Sequence, residues 1–256
     1  MVRKAILYIT LIIISTSFTV HAAKKGLISA WLFEENGGNV IKDIVSGHDG
    51  EVKGTLKWVA DGKMGKALQF PGKGDSYVRI DHDDDFNADP YSFVAWVKLN
   101  AASWQYVVWR NGDQWPEPKE LRHLDIWIHD ADYPVFMWNA AQGNGRIEGK
   151  TVVADGTWHH IAKIYDGKNV QMYIDGKLEE EKPSGGEIIK NVSPIWIGAR
   201  PGNVAATGLF DEVGFFKEAL TKNELNDVMN TGLAEYAAVE AAGKATTTWG
   251  FLKNTK

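Results

Sequence analysis

The chain has 256 residues, of which 44% are hydrophobic and 24% are charged. This composition is typical of a globular protein with a sizeable core and excludes a disordered or fibrous chain. The formal net charge of −5 argues against a nucleic-acid partner, because phosphate backbones require a basic surface. The absence of cysteine excludes disulfides, thiolate metal sites and a lipoprotein anchor. The 11 tryptophans are unusually many, and tryptophan is a residue on which sugar rings stack.

Residues 1–22 have the three-part pattern of a secretory signal peptide. Arg3 and Lys4 precede an uncharged apolar run at 5–20, and small or medium residues then allow cleavage before Ala23. An uncleaved membrane anchor is the alternative, but 16 apolar residues are few for a hydrocarbon core of about 30 Å. We therefore expect a secreted protein, extracellular or periplasmic, with no membrane span after cleavage. An exported chain without cysteine is more typical of bacteria.

The mature chain is predicted to be a single all-β domain over residues 23–232. Its short apolar runs have a period of two and are separated by turn residues such as Asp175-Gly176. One short C-terminal helix is predicted from the capping box that Thr221 and Glu224 form, and residues 233–256 are left as a tail. We expect Trp249 and Phe251 of the tail to dock on the domain. The predicted core includes Trp31, Phe93, Trp96, Trp158, Tyr173 and Trp196.

Several segments resemble one known family. They are WLFEENGG at 31–38, DIVSGHDG at 43–50, WHHIA at 158–162, MYIDGK at 172–177 and GLFDEV at 208–213. In this order they are similar to the laminin-G-like, concanavalin A-like lectin/glucanase domains, and the similarity spans nearly the whole mature chain. The resemblance implies a jelly-roll sandwich of two antiparallel sheets. It does not imply one activity, because the fold hosts lectins, glycosidases, lyases and adhesion modules.

Two polar motifs have structural interpretations. His159 and His160 are adjacent on a predicted strand and point to opposite faces, so they are not expected to share a metal. The acidic run at 81–85 is interpreted as a solvated turn. Its alternative is a weak surface calcium site, although Phe86 and Ser92 occupy positions where a calcium-binding EF-hand loop requires glycine and glutamate.

A structural calcium ion is predicted from carboxylate and amide oxygens that are distant in sequence. The candidate ligands are Glu34, Asn36, Asp43 and Asp211. Calcium takes six to eight oxygen ligands, and the resemblance implies such an ion between an N-terminal loop and an acidic residue of the last strand. The alternative is that Asp211 binds the loop through hydrogen bonds without metal.

A glycan-binding face is predicted on the strand at 121–129. Alternation places Leu124, Ile126 and Ile128 in the core and polar or aromatic residues on the opposite face. The predicted ligand-binding residues are His123, Asp125, Trp127 and His129, with Arg110 and Trp115 nearby. An aromatic ring among hydrogen-bonding groups suits a sugar, and Arg110 would allow an acidic one.

The sequence favours a binding protein over an enzyme. The E-x-D-x-x-E pattern of related glycosidases is absent, and Asp125 and His129 would lie about 13 Å apart along a strand, too far for paired catalysis. We therefore expect a non-catalytic carbohydrate-binding or adhesion module whose partner is an extracellular glycan or glycoconjugate. The alternatives are a protein-interaction or structural domain with a surface protein as partner and, less favoured, a polysaccharide-degrading glycosidase or lyase.

Overall fold

The computed structural model describes residues 26–101, 103–111 and 121–239. The predicted signal peptide, Trp115, Trp249 and Phe251 lie outside this range. No helix within it is long and apolar enough to cross a membrane.

Two eight-stranded antiparallel sheets form the fold. Sheet A consists, in spatial order, of β14 (Lys177–Pro183), β13 (Asn169–Ile174), β12 (His159–Tyr165), β7 (Tyr91–Leu99), β16 (Thr207–Phe216), β5 (Ala67–Pro71) and β4 (Lys57–Val59), with β1 (Leu27–Trp31) also paired to β16. Sheet B consists of β11 (Gly143–Glu148), β10 (Pro134–Ala140), β9 (Arg122–Ile128), β8 (Gln105–Asn111), β15 (Ile195–Ile197), β6 (Tyr77–Ile80), β3 (Gly50–Lys53) and β2 (Val40–Ile41). This architecture confirms the predicted β-sandwich.

The core lies between the two sheets because their strands alternate in polarity. Phe93, Ala95 and Val97 of sheet A meet Leu124 and Ile126 of sheet B in one buried apolar cluster. Such alternation is what buries one face of each sheet and leaves the other face free for a second layer or a ligand.

The outer face of sheet A is covered by two short helices. The helix α1 (Lys222–Thr231) begins at the predicted capping box, where the Thr221 hydroxyl accepts the Glu224 amide. A second helix, α2 (233–239), follows directly and buries Tyr236 against Phe216. The helix ends at Gly232 as predicted, but the prediction of a single helix followed by a tail from residue 233 is corrected. The buried ring of Tyr236 packs on Phe216, so the folded domain extends beyond residue 232.

Four of the six predicted core aromatics are buried, namely Trp31, Phe93, Trp96 and Tyr173. Trp158 and Trp196 are only partly buried. Trp158 directly precedes β12, and Trp196 pairs with Trp109 and Arg79 on the outer face of sheet B. These two positions show that an aromatic residue in a β-sandwich is not necessarily a core residue.

Two β-bulges interrupt the pairing of β8 with β9. Tyr106 pairs with Trp127 and Val108 with Ile126, so Val107 is extra in β8. Leu124 pairs with Arg110 and Arg122 with Asn111, so His123 is extra in β9. Each bulge shifts the alternation of inner and outer side chains by one residue.

Candidate functional site

Four aromatic side chains from three neighbouring segments form a cluster at one end of sheet B. Trp104 comes from the β7–β8 connection, Trp127 from β9, and His129 and Tyr133 from the β9–β10 hairpin. The hairpin is closed by a bond from the His129 amide to the Tyr133 carbonyl, 2.8 Å long. We call these four residues the aromatic platform.

The platform consists of two parallel stacks beside each other. The rings of Trp104 and Trp127 have centroids 4.6 Å apart and planes 5° apart. The rings of His129 and Tyr133 repeat this geometry at 4.6 Å and 5°. The centroid of His129 lies 6.1 Å from Trp104 and 5.9 Å from Trp127.

Exposure differs sharply within the Trp104–Trp127 stack. Trp127 is 3% exposed, whereas Trp104 is 46% exposed and is one of the few large apolar side chains that reach solvent. The Trp104 backbone also has a φ of 50°, in the left-handed region that bulky residues rarely adopt. An indole presented to solvent from a strained backbone is a feature of ligand-binding surfaces.

Charged groups surround the platform. The Arg146 guanidinium lies 5.2 Å from the Trp127 ring centroid and 2.7 Å from the Glu148 carboxylate. Glu148 also accepts the Tyr133 hydroxyl at 3.0 Å. The Asp130 carboxylate lies against the His129 ring, and the His129 Nδ1 accepts the Ala131 amide. Glutamate and aspartate oxygens are therefore available beside an apolar ring, as sugar hydroxyls require.

The structure brings only part of the predicted ligand set to this surface. Trp127 lies in the platform but is covered by Trp104, and His129 beside it is partly exposed. Asp125 lies on the same face of β9, but it is 1% exposed and forms an ion pair with Arg122 at 3.2 Å. Asp125 is therefore not presented to a ligand as the sequence predicted. Trp115 lies outside the described residues.

His123 points in the opposite direction from the predicted one. The bulge turns its ring inward, where it stacks on Tyr91 of sheet A with centroids 4.8 Å apart. It is 1% exposed, and burial holds the pKa of His123 well below its ordinary value. A neutral imidazole in the interior packs the sandwich and does not contact a surface glycan.

Arg110 also lies inside the sandwich. It pairs with Leu124 of β9, and both side chains point to the inner face of sheet B. It is fully buried, and its guanidinium donates to the carbonyls of Phe86, Asn191 and Ser193 at 2.8–3.2 Å. These bonds tie the short 3₁₀ helix Asp84–Asn87 and the segment before β15 to β8. The predicted role of Arg110 in binding an acidic sugar is therefore wrong, because no part of its side chain reaches solvent.

The four predicted calcium ligands do not form one site. Both carboxylate oxygens of Asp43 accept backbone amides of its own region, from Ala30, Val45, Ser46 and His48. Glu34 and Asn36 are exposed, and Glu34 accepts the Lys66 amide at 2.8 Å. Because the Asp43 oxygens are used as a loop cap, the donor set does not fit a shared calcium ion.

Asp211 forms a hydrogen bond to the connection before β5. Its Oδ2 accepts the Met64 amide at 2.8 Å, while its buried Oδ1 has no hydrogen-bond partner among the described residues. Burial, with a smaller contribution from the neighbouring Glu212 charge, raises the pKa of Asp211 to about 7. The side chain thus holds the β4–β5 connection against β16.

A different group of metal-type ligands converges elsewhere. Among the described residues, His48, Asp83 and Asp85 form the only set of three such side chains with donor atoms within 4.8 Å. The His48 ring packs on Phe86, and its Nδ1 contacts the Ser29 hydroxyl at 2.8 Å. Asp83 caps the 3₁₀ helix by accepting the Asp85 amide. These contacts account for the group as a structural turn.

His159 and His160 occupy opposite faces of β12, as alternation predicts. The ring of His159 forms ion pairs with Asp175 at 2.8 Å and Asp155 at 3.3 Å. His160 is buried edge-on against Trp96. Burial lowers the pKa of His160 to about 4, whereas the bond to Asp175 raises the pKa of His159. The two side chains therefore lie in different environments on opposite faces of the strand and do not act as a pair.

Sequence reasoning missed Trp104, the most exposed member of the platform. Its signal was a tryptophan in a polar connection directly before a strand that pairs with the Trp127 strand. Glu148 was likewise recognisable only once the register of β10 with β11 was known.

Comparisons with known proteins identify the fold family. A laminin G family model, described as the concanavalin A-like lectin/glucanases superfamily, matches residues 72–226. A segment of 131 residues, 50% of this chain, is 24% identical to Cadherin-4 of Caenorhabditis elegans, and the match covers 3% of that protein.

Similar solved structures share the fold at low sequence identity. The binding domain of Paraclostridial Mosquitocidal Protein 1 has a TM-score of 0.67 at 18% identity, with 82% of this chain and 53% of that chain covered. Domain 4 of AbnA, an extracellular arabinanase from Geobacillus stearothermophilus in complex with arabinotriose, has a TM-score of 0.58 at 20% identity, with 80% and 98% covered. The binding domain of Botulinum Neurotoxin DC in complex with SialylT has a TM-score of 0.63 at 15% identity, with 82% and 52% covered.

This chain thus spans about half the length of the two toxin binding-domain chains. The solved neighbours show the fold alone, whereas the family model covers most of the described sandwich. On that match, the chain belongs to the laminin G-like branch of the concanavalin A-like lectin/glucanase superfamily.

Proposed function

We propose that this protein is a secreted, non-catalytic carbohydrate-binding module whose glycan stacks on the aromatic platform. The observation that carries the proposal is the half-exposed indole of Trp104, held flat by its stack on Trp127. A sugar ring has one apolar face and a rim of hydroxyls. It therefore matches a flat ring bordered by the Glu148 and Asp130 carboxylates, which are about half exposed.

Solved neighbours with bound sugars support this function. Domain 4 of AbnA was solved with arabinotriose and a botulinum neurotoxin binding domain with SialylT. Some other neighbours are sialidases of Trypanosoma rangeli, which are enzymes. The absence of cleavage is therefore part of our proposal and needs its own test.

The burial of Asp125, one of the two residues considered for paired catalysis, supports a binding role. Asp125 and His123 are each 1% exposed and lie on opposite faces of β9 because of the bulge at His123. A substrate at the platform would reach neither side chain. Glu148 is engaged by Arg146 and Tyr133, which suits hydrogen bonding better than proton transfer.

The experiment is a screen of neutral and acidic polysaccharides by affinity electrophoresis with the mature protein. We expect retardation by at least one polysaccharide and no release of reducing ends during prolonged incubation. Loss of retardation in Trp104→Ala, with retention in Trp58→Ala, would support the platform. Release of reducing ends that survives repurification would contradict the non-catalytic role, and no retardation across the panel would contradict glycan binding.

A second candidate function, binding of a protein partner, is favoured by a different surface. A cleft of 390 Å³ lies beside the β13–β14 turn and is lined by Thr151, Ile174, Asp175, Lys177, Leu178 and Glu179. Leu178 is 50% exposed, and Val152, next to Thr151 in sequence, is 48% exposed. Exposed apolar side chains beside a concavity are features of protein-binding surfaces.

A further inference from the structure

We infer that the aromatic platform selects neutral glycans and discriminates against acidic ones. This inference rests on the proposed function, and it specifies the ligand class of the same site. It differs from the sequence-based expectation, in which Arg110 would pair with an acidic sugar, because Arg110 is fully buried.

The cation nearest to the platform, Arg146, is already paired with a carboxylate. Among the described residues, Arg146 is the only cation that lies over a platform ring. Its guanidinium is 2.7 Å from Glu148, and both side chains are only about half exposed. An acidic sugar would have to displace this carboxylate to gain the bidentate pairing that makes arginine an anion receptor.

The side chains around the platform rings include more carboxylates than cations. Glu148 contacts Tyr133, and Asp130 contacts His129, so each side of the His129–Tyr133 stack carries a carboxylate. Asp132 lies in the same hairpin, and one of its oxygens has no hydrogen-bond partner among the described residues. These three carboxylates together with Arg146 have a formal charge of −2 when His129 is neutral.

The Glu148 and Asp130 carboxylates form the rim of the platform and can only accept hydrogen bonds. Ionised carboxylates accept but do not donate hydrogen bonds. Sugar hydroxyls donate to such groups, whereas a sugar carboxylate offers only acceptors and repels them. The rim formed by Glu148 and Asp130 is therefore complementary to a neutral glycan and opposed to a uronate or sialate.

The test uses three forms of one ligand in calorimetry. The neutral oligosaccharide that binds best in the polysaccharide screen is compared with its uronate, made by oxidising primary alcohols, and with the methyl ester of that uronate. We expect the uronate to bind about three- to eightfold more weakly than the neutral form. This factor corresponds to the repulsion between two unit charges about 7 Å apart in a mostly aqueous medium. The methyl ester should bind like the neutral form.

Variants localise the effect. Glu148→Gln keeps an acceptor for Tyr133 but removes the charge, so it should raise the affinity for the uronate relative to that for the neutral form and narrow the ratio of the two Kd values. Glu51→Gln is the matched control. Glu51 lies on the same face of sheet B but six strands away, about 29 Å at the usual strand spacing, which is beyond the Debye length.

The outcomes separate this inference from the proposed function. Equal or tighter binding of the uronate, or an equal effect of Glu148→Gln on both ligands, would overturn the selectivity. Binding of acidic glycans alone in the screen would overturn it as well while leaving glycan binding intact. Failure of every glycan to bind would overturn the proposed function itself.

Discussion

The indole of Trp104 rests on that of Trp127 with planes 5° apart and centroids 4.6 Å apart, and only the outer ring reaches solvent. Trp127 is fixed in β9 by pairing with Tyr106 and Val135. The buried indole therefore supports the exposed one in a single orientation. A preoriented ring loses little conformational entropy when a ligand stacks on it.

Trp104→Ala should weaken glycan binding without unfolding the protein. Loss of one stacked ring corresponds to about 1–2 kcal/mol, or about 5- to 30-fold in Kd. Because the side chain is half exposed, the unfolding free energy should fall by less than about 1 kcal/mol. Calorimetry and urea denaturation measure the two effects, and Trp58→Ala in β4, an edge strand of sheet A, is the control tryptophan. Unchanged affinity would place the site elsewhere.

Gly145→Ala should destabilise the end of sheet B. A Cβ at this position would meet Trp138 Cε2 of the ring, which is fully buried and held by a 2.8 Å bond from its Nε1 to the Ser184 carbonyl. The ring has no free space to move into, so the cost is about 1–3 kcal/mol. Urea denaturation measures it, with exposed Gln142→Ala in the same hairpin as control. Equal stability of the two variants would contradict the close packing.

Asp211→Asn should remove a pH-dependent loss of stability. Burial raises the folded-state pKa of Asp211 to about 7, above an ordinary value of about 3.9. Between these values the folded protein binds more protons than the unfolded chain, so this group's stabilisation is lost as pH rises through that window. Asparagine can still accept the Met64 amide. The variant should therefore gain at least about 1 kcal/mol relative to wild type between pH 4 and pH 8.

Denaturation across that pH range, with and without a chelator, tests the role of Asp211. A constant difference between wild type and Asp211→Asn would contradict the raised pKa. A lower wild-type melting temperature in the chelator, absent in the variant, would show instead that a metal binds at Asp211.

Lys163→Met should flatten the stability profile at alkaline pH. Lys163 is fully buried between the sheets, where it donates to the His123 and Met137 carbonyls, and burial lowers its pKa. Between the lowered folded-state pKa and the unfolded-state value of about 10.4, the unfolded chain binds a proton that the folded protein releases. Wild-type stability should therefore rise as pH rises from its lowered pKa towards about 10.

Urea denaturation at several alkaline pH values measures this slope. Lys57→Met, at an exposed strand position, should retain the wild-type slope because its side chain is in water in both states. Parallel profiles for Lys163→Met and wild type would show that the buried amine keeps its ordinary pKa.

The fold followed from local patterns, whereas the site did not. Alternation identified the strands and placed Leu124 and Ile126 in the core, and the capping box marked the start of α1. The same alternation placed His123 on the wrong face. A one-residue bulge leaves no trace in hydrophobic periodicity, although it reverses every side chain on one side of it.

Arg110 and Trp104 show two further limits of the sequence. An arginine in a strand is usually exposed, and the backbone carbonyls that satisfy buried Arg110 come from segments about 24 and 80 residues away, at Phe86 and near Asn191. Trp104 lies in a connection, where periodicity gives no orientation. Its stack on Trp127 arises only from the register of β8 with β9.

Fluorine NMR of protein labelled with 5-fluorotryptophan tests the location of the glycan site most directly. The Trp104 resonance is assigned by its loss in Trp104→Phe, and the glycan that binds best in the screen is titrated in. We predict that the Trp104 resonance shifts with a saturable dependence on glycan concentration, while those of buried Trp31 and Trp138 remain unchanged. Glycan binding seen by calorimetry with no shift at Trp104 would contradict the assignment of the platform as the binding site.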